Sequence, residues 1–207
     1  MKRIALPLLI AAVSFPTSPA AQAPTPLPRY WVETKAETLW RTRYTNCDYG
    51  FYVLLAAGVV AHGTLPPSPN HGFLIALSNV GQISPVSANG DRIIWVDASY
   101  DTSDDQSLTG AISEWEHNST EVTGPSGTDE RTPTTLAGLK AIKSTVEYQP
   151  PKGGVIEEAV VAARSGIIYT IALNTTPRYR SVDEAQFRKI LNGFRLLKLP
   201  SGECTNG

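Results

Sequence analysis

Sulfur and imidazole are scarce in this 207-residue chain, which has two cysteines, one methionine and three histidines. Cys47 and Cys204 stand far apart, so there is no Cys-x-x-Cys redox pair. An excess of one charge is missing too. The 18 basic and 19 acidic residues exclude a general nucleic-acid binder, which needs a clustered basic surface to displace counterions. No segment is apolar over the roughly 20 residues that a membrane-spanning helix requires. The sequence also lacks a Gly-x-Ser-x-Gly elbow and a glycine-rich phosphate loop. It names no reaction, and a non-catalytic role is the leading expectation.

Apolar residues make up 42% of the chain, enough to build a core and to exclude disorder. The first 23 residues have the pattern of a secretory signal. Lys2 and Arg3 form a charged start, Ile4 to Val13 an apolar stretch, and Ala21-Gln22-Ala23 a small-x-small cleavage site. Without the leader's two cations, 16 basic residues face 19 acidic ones. A mature chain of roughly 180 residues buries about 70% of its unfolded surface, so one domain can fold unaided. The expected location is secreted or periplasmic. In an oxidising compartment Cys47 and Cys204 most simply pair, tying the start of the folded domain to its end; free or reactive thiols are the other reading.

Three segments are expected: a signal peptide over residues 1–23, an N-terminal arm over 24–45, and a single domain over 46–204. The arm opens proline-rich and carries Trp31 and Trp40. Strands are predicted over 51–57, 58–62, 73–77 and 92–97, where β-branched and aromatic residues cluster. A helix follows. Ser103 stands at capping-box spacing from Gln106, and Leu108, Ile112 and Trp115 recur at i, i+4, i+7. Residues 123–134, rich in Gly, Pro, Ser and Thr, read as a loop. Strands at 139–148, 155–164 and 167–174, joined by tight turns, must form an antiparallel meander. A last helix is predicted from Ser181, capped through Glu184, with a Phe187, Ile190, Leu191, Phe194 stripe and Gly193 as its C-terminal cap. The fold class is α+β: a central antiparallel sheet flanked by helices, an α/β/α sandwich.

Candidate chemistry is sparse. His62 and His71 bracket a stiff proline-rich loop that would bring two imidazoles together, as a metal pair or as acid and base. Glu114, Glu116 or His117 would supply a third ligand. The competing reading is a rigid surface turn shaped by Asn70 and Gly72. The acidic run from Asp97 to Asp105 lacks the glycine and the distal glutamate of an EF-hand loop. Glu114 and Glu116 fall on different helix faces, and Glu157 and Glu158 are expected to face solvent. Trp95 and Trp115 read as core. Trp31 and Trp40, outside the patterned core, read as contact residues.

The segment Tyr49-Gly50-Phe51-Tyr52-Val53 resembles the first strand of the PsbP-like superfamily, named for the extrinsic protein of photosystem II. The closing segment is similar too: a strand ending Ile168-Tyr169-Thr170-Ile171-Ala172-Leu173, a Thr-rich loop, and a helix running into Phe187 to Arg195. The resemblance covers residues 46–62 and 136–197. It implies an α/β/α sandwich used as a scaffold or binding protein, with no shared catalytic set. The expectation is therefore an exported, non-catalytic binding or scaffold protein of the cell envelope. It would need no cofactor and would contact a protein or small ligand through Trp31, Trp40, His62 and His71. The alternative is a metal-binding protein or metal-dependent hydrolase centred on His62 and His71.

Overall fold

The computed structural model describes residues 39–63, 71–77, 92–102, 107–123, 128–147, 155–197 and 204, all within the second of two units, Met1–Lys35 and Ala36–Gly207. The expected leader, Trp31, the proline loop over 64–70, the Ser103 cap and the turn over 150–154 lie outside the described residues.

Among the described residues, eleven strands and two helices follow one another. They are β1 (Leu39–Trp40), β2 (Arg43–Asn46), β3 (Phe51–Leu54), β4 (Ala61–Gly63), β5 (Gly72–Ala76), β6 (Ile93–Tyr100), α1 (Leu108–Thr123), β7 (Thr128–Leu136), β8 (Leu139–Glu147), β9 (Ile156–Arg164), β10 (Ile167–Thr175), α2 (Arg180–Gly193) and β11 (Phe194–Leu196). Eight strands form one antiparallel sheet in the order β1-β4-β5-β6-β10-β9-β8-β7, and three form a second in the order β11-β3-β2. The class is α+β, as expected.

The meander β8-β9-β10 has the predicted antiparallel pairing. Ser165 and Gly166, at φ +54° and +74°, make the two-residue turn between β9 and β10. Positive φ at both central positions matches the right-handed twist of the flanking strands. Ala137 and Gly138 repeat this arrangement, at φ +48° and +85°, between β7 and β8. Strand β7 itself corrects the loop expected over 123–134. Its polar residues and Pro133 cost little because it is an edge strand, paired among the described residues with β8 alone. Sheet pairing also starts earlier than expected, at Leu39, inside the segment read as an arm.

Side-chain alternation assigns the two sheet faces. Ile94, Val96, Ala98, Val160, Ala162, Tyr169, Ile171 and Leu173 join a core with Phe51 and Val53 of the small sheet and with Phe187, Ile190 and Phe194 from the C-terminal segment. Ala159, Val161, Ile168 and Ala172 point the other way and pack on Ala111 and Ile112 of α1. The predicted α1 stripe is present, since Leu108 and Trp115 join the same cluster. Tyr169 ties the two sheets together, its hydroxyl donating to the Tyr49 carbonyl at 2.9 Å. Cys47 and Cys204 form the expected disulfide, with Cα atoms 5.7 Å apart.

The helix ends differ from expectation. The Ser107 hydroxyl accepts from the Gly110 N–H at 2.9 Å and caps α1. Helix α2 starts one residue before Ser181, behind Tyr179, without a side-chain cap. Ser181 is exposed, while Asp183 is buried in an ion pair with Arg92. Gly193 is the last residue of α2, and the extended Phe194 is the cap. What the site demands of Gly193 is close approach, because a Cβ there would stand 2.3 Å from the Leu54 carbonyl oxygen.

Candidate functional site

On the α1 face of the large sheet, the helix leaves part of β5, β6 and β10 uncovered. Alternation aims Leu74, Trp95, Asp97, Ser99, Ile168 and Thr170 at this opening. Ala111, Glu114 and Trp115 of α1 form the facing wall, and Tyr100 and Thr102 the rim. The result is a cleft of about 320 Å³. Across the mouth, the Thr102 hydroxyl donates to the Glu114 carboxylate at 3.4 Å. Trp95 and Trp115 are half-buried, with their inner edges against the α1 cluster. Tyr100 is 66% exposed.

Asp97 is the distinctive group on the floor. Its partners in register are Gly72 on β5 and Thr170 on β10. Gly72 cannot be replaced without moving backbone, since a Cβ there would fall 1.7 Å from the Val96 carbonyl oxygen. Burial raises the Asp97 pKa above the usual carboxylate range, and the charge of nearby His71 opposes the rise only in part. Among the described residues, no hydrogen-bond donor or ion-pair partner engages this carboxylate.

His71 flanks the cleft at the start of β5. Its Nε2 is 3.1 Å from the Tyr49 hydroxyl, and the two rings lie 5.1 Å apart. His62 belongs to a different place. It pairs with Leu74 in the β4–β5 ladder and lines a second recess of about 390 Å³ with Arg92, Asp183, Gln186 and Lys189. His62 lines the second recess, whereas His71 is held by Tyr49 beside the cleft. Among the described residues, no group of three or more His, Cys, Asp or Glu could hold a metal ion.

The third ligands considered for such a pair are dispersed. Glu114 is on the cleft wall and His117 is exposed. Glu116 is buried and committed to other partners. Its Oε1 accepts from Arg131 Nε at 2.9 Å and from the Ser144 hydroxyl at 2.6 Å, and its Oε2 pairs with the other arm of the guanidinium. Burial works to raise the Glu116 pKa, but the hydrogen bonds of Arg131 and Ser144 and the Arg131 charge outweigh it and lower it.

One further expectation is corrected. Glu157 and Glu158 are 5% and 4% exposed rather than solvent-facing, because β9 is an interior strand with both faces covered. Glu158 pairs with Lys143 on the neighbouring strand at 2.9 Å. Trp40 is half-buried against the core, edge-on to Tyr44 with centroids 4.8 Å apart. Trp95 and Trp115 pack on the core as expected, yet they also line the cleft. The available signal was on β6, where Trp95, Asp97 and Ser99 alternate with the apolar Ile94, Val96 and Ala98. A polar and aromatic face beneath a helix marks an unfilled contact.

No protein-family model and no curated protein sequence matches this chain. Solved structures with a similar fold include cyanobacterial PsbP from Synechocystis sp. PCC 6803, at TM-score 0.47 and 14% identity over 79% of this chain and 95% of that one. LpqN of Mycobacterium tuberculosis, described as involved in cell envelope biogenesis, is similar at TM-score 0.46 and 14% identity, over 82% and 95% of the two chains. A Pseudomonas aeruginosa protein of unknown function, described as a putative regulator, is similar at TM-score 0.45 and 13% identity, over 81% and 100%. A PsbP protein, of the kind that gives the expected resemblance its name, is among these similar structures, all of them at TM-scores below 0.5. Among the described residues, no helix is long and apolar enough to cross a membrane.

Proposed function

We propose that this chain is an exported, non-catalytic binding protein that holds a small ligand in the cleft between α1 and the β5-β6-β10 face. The cleft is the observation that carries the reading. A cavity of about 320 Å³ has the size of a small-molecule site, and such sites combine apolar walls with a few convergent polar groups. Here the walls are Trp95, Trp115, Leu74 and Ile168, and the polar groups are Asp97, Ser99 and Thr170. His71 acts from the flank, through its charge on Asp97. Export is supported by the leader-like first 23 residues and by the Cys47–Cys204 disulfide, a bond that persists in oxidising compartments. A layered helix–sheet–helix sandwich is supported by the two opposed core clusters.

The test is native mass spectrometry of the protein released gently from the extracytoplasmic fraction of its host. A bound small molecule is expected on the wild type and absent from Thr170→Phe, whose ring would fill the cleft floor. A wild-type protein as bare as the variant would sink the proposal.

A further inference from the structure

We infer that the ligand of this cleft is an organic cation, a protonated amine or quaternary ammonium group seated over Asp97. The inference rests on reading the cleft as a ligand site and adds the chemistry that the site selects. Two indole rings, Trp95 and Trp115, and two carboxylates, Asp97 and Glu114, line the opening. No described lining residue is Lys or Arg. An anionic ligand would therefore meet two like charges with only His71, on the flank, to set against them, at increasing cost as water is excluded.

A neutral ligand would leave the other problem in place. Asp97 lies on the floor without a described hydrogen-bond donor, and Gly72 opposite it supplies no side chain. Burial disfavours the charged form of Asp97 and His71 offsets this only in part, so a cation placed over the carboxylate would offset more of that cost. The indole rings add to this selection. The electron-rich face of tryptophan attracts ammonium groups, and the attraction grows as the site is desolvated. Glu114 sits further out, held toward Thr102, where it would draw a cation toward the mouth.

The probes are choline, ethanolamine and dimethylbutanol, the last an uncharged isostere of choline with carbon in place of nitrogen. Each is titrated into the nitrogen-15-labelled protein while the indole N–H signals of Trp95 and Trp115 are followed. At least one of the two cations is expected to move both signals and to bind at least about tenfold more tightly than dimethylbutanol. Asp97→Asn is expected to weaken cation binding by about tenfold and leave that of dimethylbutanol unchanged. Equal binding of the cations and the isostere, or cation binding indifferent to Asp97→Asn, would overturn the cation assignment. So would failure of both cations to move either signal. In all these cases the wider reading of the cleft stands or falls separately, on the co-purified molecule and its loss in Thr170→Phe.

Discussion

Arg92 and Asp183 are 91 residues apart in sequence, yet the Arg92 Nε donates to the Asp183 Oδ2 at 2.7 Å. The second guanidinium arm reaches Oδ1, and the Thr175 hydroxyl donates to Oδ2 at 2.6 Å. The guanidinium also lies 3.9 Å over the Tyr179 ring. One buried carboxylate thus fixes the start of α2 to the ends of β6 and β10. Asp183→Ala leaves Arg92 mostly buried without its counter-charge, and the expected loss of folding stability is about 3–5 kcal/mol. Urea denaturation of the variant checks this, and a loss below about 1 kcal/mol would show that the triad contributes little.

Glu116 and Asp97 respond to pH in opposite senses. Glu116 has a lowered folded pKa, so its contribution is present above the unfolded carboxylate range and is lost as pH falls through the folded value. Glu116→Gln is expected to be less stable than the wild type at neutral pH, with the gap closing in acid. Thermal melts at a series of pH values measure that gap, and a constant difference would contradict the assignment.

Asp97 has a raised folded pKa, so ionising it costs stability above that value, and the cost is relieved as pH falls. Asp97→Asn is therefore expected to be more stable than the wild type at neutral pH, with the advantage fading in acid. The same variant is expected to bind cations poorly. A residue that weakens the empty protein and strengthens the loaded one is the signature of a binding group, and paired melting and titration data on this one variant would separate the two effects.

Gly193 and Gly138 test two different uses of glycine. Gly193→Ala would drive a methyl group to 2.3 Å from the Leu54 carbonyl oxygen, and the expected cost is about 1–3 kcal/mol despite alanine's better helix propensity. Gly138→Ala meets open space and suffers only from φ +85°, at about 1 kcal/mol. If denaturation shows Gly193→Ala to be the milder change, α2 is free to shift away from β3.

Most of this architecture was legible wherever burial and local pattern agree. The alternation of β8 to β10, the stripe Leu108, Ile112, Trp115 and the Ser165-Gly166 turn all follow from spacing. Strand β7 was hidden because an edge strand need not be apolar and tolerates Pro133. The start of α2 was misplaced because serine at capping-box spacing is a local signal, whereas Asp183 answers to Arg92 from far along the chain. Gly193 has the composition of a C-terminal cap and serves instead as clearance. The cleft was the least legible part. Trp95 and Trp115 look like core by any local measure, and only the meeting of β6 with α1 shows that one edge of each ring is left uncovered.

The Cys47–Cys204 bond spans 157 residues, and removing it with Cys47→Ala and Cys204→Ala is expected to cost about 4–5 kcal/mol in the chain-entropy account. Equal melting temperatures for the double variant and the wild type would contradict this. The bond has a second consequence, for survival rather than for equilibrium. Nearly all the described strands and both helices lie between its two ends, so a single cut by an extracellular protease inside that span opens a ring without releasing a fragment. Both pieces stay at high effective concentration and can close again on the same core. In a compartment without ATP-driven refolding, damage of this kind becomes a nick that the protein outlives.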